Sequence, residues 1–267
     1  MPVAFNNKII IVRGGGDLAT GVVQKFHRAG LPVLILETKA PTAIRRSVSL
    51  CEAVYDGFSQ VEDVSCCKIN GTDELIACWR EGSVPLLVDP EGKTIKEIKP
   101  SGVIDAILAK RNPGTNHRMA DITIALGPGF NAGVDVHAVI ETMRGHDLGR
   151  LILQGYAKPN TGIPAEIGGE DSRRVLHAPN DGIIYHKKQI GSIVEQGDAL
   201  FTVDDTEVHA PFNGLLRGLI REGAKVHKGM KVADIDPRAD VDWRTISDKA
   251  RCIGGAALEA YFYLCKK

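Results

Sequence analysis

Residues 8–37 decide the fold, and they read KIIIVRGGGDLATGVVQKFHRAGLPVLILE. Residues 9–12 form a short β-branched run, which is typical of a buried strand. The stretch 14–19 follows, then a helical pattern runs through Gln24 and Ala29, and Gly30 is a stop signal for it. A second apolar run, residues 31–36, ends at Glu37. This order predicts a βαβ unit of about thirty residues.

The turn between the first strand and the helix has the pattern Gly14-x-Gly16-x-x-Ala19. In dinucleotide-binding folds the first glycine permits the tight turn, the second lets a pyrophosphate approach the backbone, and the small third residue allows close helix packing. The helix N-terminus supplies amide donors, and Glu37 is placed to accept hydrogen bonds from a ribose. The candidate cofactor-binding residues here are Gly14, Gly15, Gly16, Asp17, Leu18, Ala19 and Glu37. The expected cofactor is NAD(P) or another dinucleotide; the alternative is a tight turn that binds nothing.

Two further sites are candidates for cofactor binding. Arg45 and Arg46 open a predicted helix, 45–56, and could clamp a phosphate near the ribose, which would favour NADP. The alternative for this pair is a solvated helix start. Gly127 and Gly129 form a glycine turn at the end of a predicted strand, 121–126.

The rest of the N-terminal part predicts a mostly parallel α/β sheet of Rossmann-like type. Further strands are expected at 61–69, 84–88 and 103–108, with a helix at 72–80. Residues 134–141 alternate with a period of two, which favours another strand, and a turn leads from it into a strand at 150–153.

Asp135, His137 and Glu141 would lie on one face of that predicted strand, and the turn could return His146 towards them. Such a group could form a metal site, or His137 and Glu141 could serve as a catalytic acid–base pair. The alternative is the polar face of a hairpin, because the spacing is not that of a tight ligand set.

A repeat with an offset of 32 residues follows a glycine- and proline-rich linker candidate at 159–170. His177-Ala178-Pro179-x-x-Gly182 recurs as His209-Ala210-Pro211-x-x-Gly214. Two copies predict a pseudo-twofold β module, 170–240, whose halves interlock; this is the pattern of a biotinyl/lipoyl-like barrel-sandwich hybrid. The stretch between the copies, 204–207, contains no lysine, so neither biotin nor lipoate is expected.

The C-terminal residues predict a helix that starts at Ser247 and runs through Leu264 with an apolar stripe. We expect this helix, within 245–267, to complete the domain formed by residues 1–165. The β module is then an insertion before it.

Composition excludes several classes of protein. Lysine plus arginine equals aspartate plus glutamate at 33 each, and aromatic residues make up only 5%, which argues against nucleic-acid binding. No apolar run approaches a membrane span, and residues 1–7 lack the features of a signal peptide. The six cysteines have no framework spacing and predict reduced thiols. These features predict a cytoplasmic protein without a membrane partner and leave homo-oligomerisation open.

Six segments together resemble the YqeB-type family of selenium-dependent molybdenum hydroxylase system proteins. They are RGGGDLATG (13–21), IRRS (44–47), ALGPGFNAG (125–133), HAVIETMRGHDLGR (137–150), DIDPR (234–238) and SDKARCIGG (247–255). The N-terminal half of that family is similar to xanthine dehydrogenase accessory factors. The resemblance implies a molybdenum hydroxylase, or its cofactor, as the partner.

The leading hypothesis is therefore an accessory factor that helps mature a molybdenum hydroxylase and binds a nucleotide or a pterin dinucleotide at residues 14–19. One alternative is an NAD(P)-dependent oxidoreductase that uses the same turn, with His137 or Glu141 as acid–base group. A second alternative is a scaffold with a structural nucleotide.

Overall fold

The computed structural model describes residues 8–162, 166, 169–170 and 172–266. The chain divides into two units: residues 8–41, 49–160 and 246–266 form the first, and residues 42–48 and 161–245 form the second. The predicted linker and first domain include residues 1–7, 163–165 and 167–168, which lie outside the described residues.

The first unit is built on a nine-stranded, mostly parallel sheet, which confirms the predicted α/β class. Its strands are β1 (Ile10–Arg13), β2 (Val33–Glu37), β3 (Phe58–Val61), β4 (Val64–Ile69), β5 (Val84–Val88), β6 (Gly102–Asp105), β7 (Ile122–Leu126), β9 (Ala138–Ile140) and β10 (Leu151–Ile152); β8 (Asn131–Ala132) and β11 (Gly155–Tyr156) pair separately. The order across the sheet is β10-β9-β7-β6-β1-β2-β5-β4-β3. Only the pairs β3/β4 and β9/β10 at the two edges are antiparallel.

Helices cover both faces of this sheet. They are α1 (Asp17–Arg28), α2 (Ala53–Asp56), α3 (Leu75–Arg80), α4 (Lys93–Ile98) and α5 (Asp248–Leu264). On one face Phe26 of α1 and Tyr261 of α5 meet at a ring separation of 5.7 Å. On the other face Cys78 of α3 and Ile95 of α4 share a core with Ile11. Burial of apolar side chains on both faces is the expected driving force for this layering.

Helices α1 and α5 approach each other so closely that their backbones touch. A Cβ on Gly21 would lie 2.4 Å from the Ala250 carbonyl oxygen, and a Cβ on Gly254 would lie 2.3 Å from the Gly21 oxygen. The contacts then continue to the Phe26–Tyr261 pair, so the two helices run side by side in the same direction. As predicted, Ser247 caps α5, its hydroxyl oxygen accepting a hydrogen bond from the Ala250 amide at 3.2 Å.

The second unit contains two four-stranded antiparallel sheets. Its strands are β12 (Val175–His177), β13 (Gly182–His186), β14 (Ile193–Val194), β15 (Ala199–Val203), β16 (Thr206–His209), β17 (Gly214–Leu219), β18 (Lys225–Val226) and β19 (Lys231–Asp236). The two sheets have the orders β12-β19-β17-β14 and β16-β15-β13-β18. Strands β13, β14 and β15 recur 32 residues later as β17, β18 and β19. Strand β12 likewise corresponds to β16. Replacing each strand by its counterpart in the other copy converts one sheet order into the other, so each sheet contains strands of both repeats.

Equivalent positions of the two copies make equivalent backbone hydrogen bonds. The Gly197 amide donates to the Ala210 carbonyl, and the Gly229 amide donates to the Ala178 carbonyl, both at 2.9 Å. Each copy is thus tied to the opposite copy by the same bond. Both glycines have φ above +80°, a left-handed conformation that disfavours other residues.

Several sequence-based boundaries were wrong. The predicted helix at 45–56 is two short 3₁₀ turns and the single turn α2, because Ser49 is extended and interrupts it. Of the predicted strand at 61–69, residues 64–69 form β4, whereas Val61 ends the antiparallel strand β3 and Glu62, with φ +52°, lies in the turn between them. The strand predicted at 134–141 is only β9, since Asp135 closes a turn by accepting the Asn131 amide at 2.8 Å.

The prediction of six reduced thiols was also wrong. Cys67 on β4 and Cys78 on α3 form a disulfide. The two residues are separated by 11 positions, and the strand and the helix bring them together across one core, a contact that spacing alone did not indicate. Cys51 and Cys66 are buried free thiols.

In the described part of the chain, no helix combines the length and the apolar character that a membrane crossing requires.

Candidate functional site

The candidate site lies where the strand order of the large sheet reverses. Strand β2 lies on one side of β1, whereas β6 lies on the other side, and all three are parallel. From β1 the chain continues to β2 on one side, and from β6 it continues to β7 on the opposite side. In open α/β sheets this topological switch point is the usual place for a ligand.

The glycine turn occupies this switch point, and its three glycines differ in role. A Cβ on Gly14, which has φ +94°, would lie 3.0 Å from the Ala106 carbonyl oxygen, and a Cβ on Gly15 would lie 3.0 Å from the Cys51 amide nitrogen. A Cβ on Gly16 would meet nothing within 4 Å. Gly14 and Gly15 are thus explained by packing inside the protein, whereas Gly16 faces open space.

The other turn residues open α1. Gly16 is the N-cap residue and provides no side-chain cap, while the Asp17 carboxylate accepts the Leu18 amide at 2.9 Å. Ala19 is buried against the sheet, as the small third residue of the pattern requires.

Glu37, at the end of β2, lies beside the turn. Its carboxylate accepts the amides of Gly15 and Thr38, both at 2.7 Å. Burial raises the pKa of Glu37, and these two amide hydrogen bonds oppose that rise. Burial likewise raises the pKa of the Cys51 thiol, whose backbone amide donates to the Gly15 carbonyl at 2.8 Å.

A buried polar group below the turn was missed at the sequence level. Arg13 and Asp105, the last residues of β1 and β6, are 4% and 1% exposed, and Thr115 bridges them by a hydrogen bond to each. Arg13 also donates to the Pro90 carbonyl at 3.0 Å. Burial raises the pKa of Asp105, while Thr115 and Arg13 lower it. The group ties the ends of neighbouring strands together and so stiffens the floor of the site.

Gly127 and Gly129 are also packed closely against neighbouring loops. A Cβ on Gly129 would lie 2.6 Å from the Arg111 backbone, and a Cβ on Gly127 would lie 2.5 Å from the Thr142 hydroxyl. The loops that follow β6, β7 and β9 are therefore in direct contact. Ile107, next to Gly14 in this group of loops, leaves 39% of its surface exposed and offers an apolar surface at the switch point.

The structure does not bring the proposed acid–base and metal-binding residues together. His137 precedes β9 and bonds to Thr123 at the start of β7, whereas Glu141 follows β9 at the opposite end, about 13 Å away at strand geometry. Asp135 lies in the turn at Asn131, and His146 is exposed in the loop after Glu141. Across the described ranges, no group of three or more His, Cys, Asp or Glu side chains is arranged to hold a metal ion.

Glu141 lies at the carboxyl edge of the sheet, directly after β9. It is 2% exposed, and its carboxylate accepts the amides of Met143 at 2.7 Å and Lys158 at 2.8 Å. It also lines an open cleft of about 360 Å³ together with the exposed Tyr156. For His137, burial and the neighbouring His117 lower the pKa, and Asp121 raises it.

Lys249 was not singled out by sequence reasoning, yet it interacts electrostatically with both Asp17 and Glu141. It is the second residue of α5, more than a hundred positions from Glu141 along the chain. Only the packing of α5 beside α1 indicates that it lies near the turn.

Arg45 and Arg46 lie in the segment 42–48, which belongs to the second unit. There the Arg46 guanidinium donates to the Leu219 carbonyl at 2.8 Å, and the Leu219 amide donates to the Ile44 carbonyl. The phosphate clamp predicted for this pair stays a prediction.

No protein-family model matches the chain. The chain is 45% identical over 259 residues to the uncharacterized protein YqeB of Escherichia coli, and the match covers 97% of this chain and 48% of YqeB. The chain thus spans about half the length of the curated relative it matches. This similarity supports the resemblance to YqeB-type proteins. Because YqeB is itself uncharacterized, the similarity does not indicate an activity for this chain.

Two solved structures were compared with the chain. The product-bound ectoine utilization protein EutE (DoeB) of Ruegeria pomeroyi is 15% identical, with a TM-score of 0.23, and the match covers 79% of this chain and 60% of that chain. A succinylglutamate desuccinylase from Silicibacter is 12% identical, with a TM-score of 0.25, and the match covers 85% and 84%. Scores this low carry no argument about fold or function.

Proposed function

We propose that this protein binds a nucleotide, and specifically a dinucleotide such as NAD(P), at the turn formed by residues 14–19. One observation carries the proposal: Gly16 opens α1 at the topological switch point, has no side-chain cap, and faces space that a Cβ would enter without contact. A helix N-terminus with accessible backbone amides is a favourable binding site for a phosphate.

The surrounding residues fit a dinucleotide. The amides of Gly15 and Leu18 already donate to carboxylates, so the close approach of a pyrophosphate would depend on Gly16. Each Glu37 oxygen accepts one amide and keeps a further lone pair, which a ribose hydroxyl could use. The exposed Ile107 would offer an apolar contact to a base or nicotinamide ring.

The biological role that we propose is maturation of a molybdenum hydroxylase in the cytoplasm, with the bound nucleotide or pterin dinucleotide handed on rather than consumed. Support for this role comes from the family resemblance. Separation of Glu141 from His137 at opposite ends of β9 also favours binding over hydride transfer, which needs a placed acid or base beside the nicotinamide.

For the second unit we propose the barrel-sandwich hybrid fold of biotinyl/lipoyl-like modules, used as a docking surface for the hydroxylase. The exchange of strands between the two repeats supports this fold. The hairpin tip between β15 and β16 consists of Asp204 and Asp205, so no lysine is available there for biotin or lipoate. Intact-mass measurement of protein from its native host tests this, since an added biotin or lipoate would overturn a purely docking role.

One observation favours the alternative NAD(P)-dependent oxidoreductase. Glu141 and Lys249 both lie at the carboxyl edge of the sheet and interact electrostatically, which provides an acid–base candidate that does not involve His137. Oxidation of NADH or NADPH by the purified protein with any carbonyl substrate would favour this alternative.

Calorimetric titration of the wild type and of Gly16→Val with NAD(H) and NADP(H) tests nucleotide binding. We expect the wild type to bind at least one of them and Gly16→Val to bind none, with both proteins folded. Gly255→Ala is a matched control, because its Cβ also meets nothing within 4 Å but lies in α5. Equal binding by Gly16→Val, or no binding by the wild type, would refute the dinucleotide proposal.

The maturation role has its own test. Deletion of the gene should leave the partner hydroxylase translated and folded but without active cofactor, and complementation should restore it. Full hydroxylase activity and metal content in the deletion strain would refute the maturation role but would not affect the proposal of nucleotide binding.

A further inference from the structure

The cleft of about 360 Å³ that Glu141 lines is a second candidate site, at one edge of the large sheet. Its lining follows the chain from β10, the edge strand of that sheet, into β11, which pairs separately with β8. Three strand spacings, about 14 Å in total, separate β9 from β1 and the glycine turn. The cleft is therefore a different place from the glycine turn, and a ligand can be tested there whether or not a nucleotide binds at residues 14–19.

Part of the lining is apolar and includes an exposed aromatic ring. Leu151, Ile152 and Leu153 are half-buried, and Tyr156 leaves 67% of its surface exposed. The backbone of Tyr156 is held in β11, opposite Asn131 of β8. An aromatic ring offers a large apolar surface on which a second ring can stack or pack edge-on. This part of the cleft fits a planar, aromatic portion of a ligand.

The charged part of the lining exposes its cations more than the carboxylate that pairs with them. The side chains of Arg150 and Lys158 are 69% and 54% exposed, whereas that of Asp147 is 24% exposed. The Lys158 amine donates to one oxygen of Asp147 at 2.5 Å, while the Arg150 guanidinium lies 3.5 Å from the other oxygen. Because a guanidinium has five N–H donors in a planar fork, Arg150 keeps donors for a second anion.

A buried carboxylate fixes the backbone that carries these charges. Glu141 is 2% exposed, and its two oxygens accept the amides of Met143 and of Lys158, which lies 17 positions later. The Glu141 amide in turn donates to the Arg150 carbonyl at 3.0 Å. Glu141 is therefore occupied by the backbone, and the exposed charges around it, two cations and Asp147, leave one positive charge for a ligand.

We infer that this cleft binds an aromatic carboxylate, a planar ring that carries a single negative charge. The ring would pack against Tyr156 and the half-buried apolar side chains. The carboxylate would accept two parallel hydrogen bonds from Arg150, the geometry in which a guanidinium recognises a carboxylate. The volume of about 360 Å³ lies in the lower part of the usual range for small-molecule sites, about 300–1,000 Å³, which suits a ligand of one or two fused rings.

Saturation-transfer NMR, followed by titration for the Kd, tests the inference on the full chain with matched probes. 1-Naphthoate carries both the ring and the charge, 1-naphthamide lacks the charge, and decahydronaphthalene-1-carboxylate lacks the aromatic ring. We expect 1-naphthoate to bind, the amide to bind about tenfold more weakly because the charge-assisted hydrogen bonds are lost, and the saturated acid to bind about threefold more weakly because stacking is lost. 1-Naphthyl phosphate, with a second negative charge, should bind no more tightly than 1-naphthoate.

Substitutions in the cleft separate the two parts of the ligand. Arg150→Gln should weaken 1-naphthoate binding about tenfold and leave 1-naphthamide binding unchanged, whereas Tyr156→Leu should weaken both by about threefold. Arg118→Gln is the control for the first, because Arg118 is an exposed arginine that precedes β7, at the opposite end of the parallel strands from Glu141. Tyr185→Leu is the control for the second, because Tyr185 is an exposed tyrosine of the second unit. Neither control should change the affinity for 1-naphthoate.

Three results would each overturn the inference: no binding of 1-naphthoate to the wild type, equal affinity for 1-naphthamide, or unchanged 1-naphthoate affinity in Arg150→Gln. Tighter binding of 1-naphthyl phosphate would overturn the match to a single charge, and with it the carboxylate. Thermal unfolding of each variant is recorded alongside. If Arg150→Gln does not fold, Arg150→Lys replaces it, and this variant should also weaken 1-naphthoate binding because it keeps the charge but loses the planar fork.

Discussion

Gly254 and Gly255 are neighbours in α5, and we expect alanine to change stability in opposite directions at the two positions. A Cβ on Gly254 would lie 2.3 Å from the backbone oxygen of Gly21 in α1, whereas a Cβ on Gly255 would meet nothing within 4 Å. Both residues lie in the interior of the helix, Asp248–Leu264, so the intrinsic helix preference of alanine over glycine acts equally on both.

The magnitudes follow from these two distances. Relief of the glycine penalty should raise the free energy of unfolding of Gly255→Ala by about 0.8–1.0 kcal/mol. Gly254→Ala gains the same amount, but carbon and oxygen normally approach no closer than about 3.3 Å, so α5 would have to move by about 1 Å. Overpacking of this kind costs about 3 kcal/mol at the upper end of its usual range. The net loss for Gly254→Ala is then about 2 kcal/mol, and the two variants should differ by about 3 kcal/mol.

Urea unfolding followed by far-ultraviolet circular dichroism measures this difference. In the described part of the chain all α-helices belong to the first unit, so the helical signal reports on the unit in which both substitutions lie. A midpoint for Gly254→Ala equal to or above that of Gly255→Ala would refute the close α1–α5 contact, and with it the placement of Lys249 beside the turn.

Three further predictions concern the second unit. Asp236→Asn should lower the free energy of unfolding by about 3–5 kcal/mol, because the fully buried carboxylate accepts hydrogen bonds from Arg217 and Arg238. Burial raises the pKa of Asp236, but the two arginines hold it below its usual value, so the stabilisation should be present above about pH 4 and be lost as the pH falls. Urea unfolding at several pH values measures this dependence. Gly191→Ala should destabilise more than Gly197→Ala in thermal unfolding: both have a left-handed backbone, but only at Gly191 would a Cβ meet the Trp243 ring, at 2.6 Å. Burial lowers the pKa of His186, so the unfolded chain binds its proton more readily and stability should fall as the pH drops below about 6.5; His186→Gln should reduce that slope, and an unchanged slope would contradict the burial.

Elements with a strong local pattern were predictable from the sequence. Helix α1 ends within a residue of its predicted end, and α5 has its predicted cap at Ser247. The 32-residue repeat was visible because both copies have their turn glycines at the same offset. In these cases the physical cause of the structure lies within a few residues of the pattern.

Predictions that relied on extending a local pattern failed where long-range contacts decide the backbone. The alternation at 134–141 suggested a shared face for His137 and Glu141, but the three strand residues of β9 are all buried and the flanking residues follow turns. The helix predicted at 45–56 was also wrong: Ile44 and Arg46 hydrogen-bond to Leu219 of β17, more than 170 positions away, and no local signal indicates that contact. Lys249 approaches the turn only through the packing of α5 on α1.

The glycine pattern at 14–19 is weaker proof of a ligand than its form suggests. Gly14 and Gly15 would be required even in a protein that binds nothing, because Ala106 and Cys51 leave no room for a Cβ. Ala19 is likewise explained by its burial in the core. Only Gly16 has no internal reason to be glycine, since its φ of −69° suits any residue and its surroundings are open. The motif's value as an indicator of binding therefore depends on one position, and this is why a side chain there, rather than at Gly14 or Gly15, separates loss of binding from loss of fold.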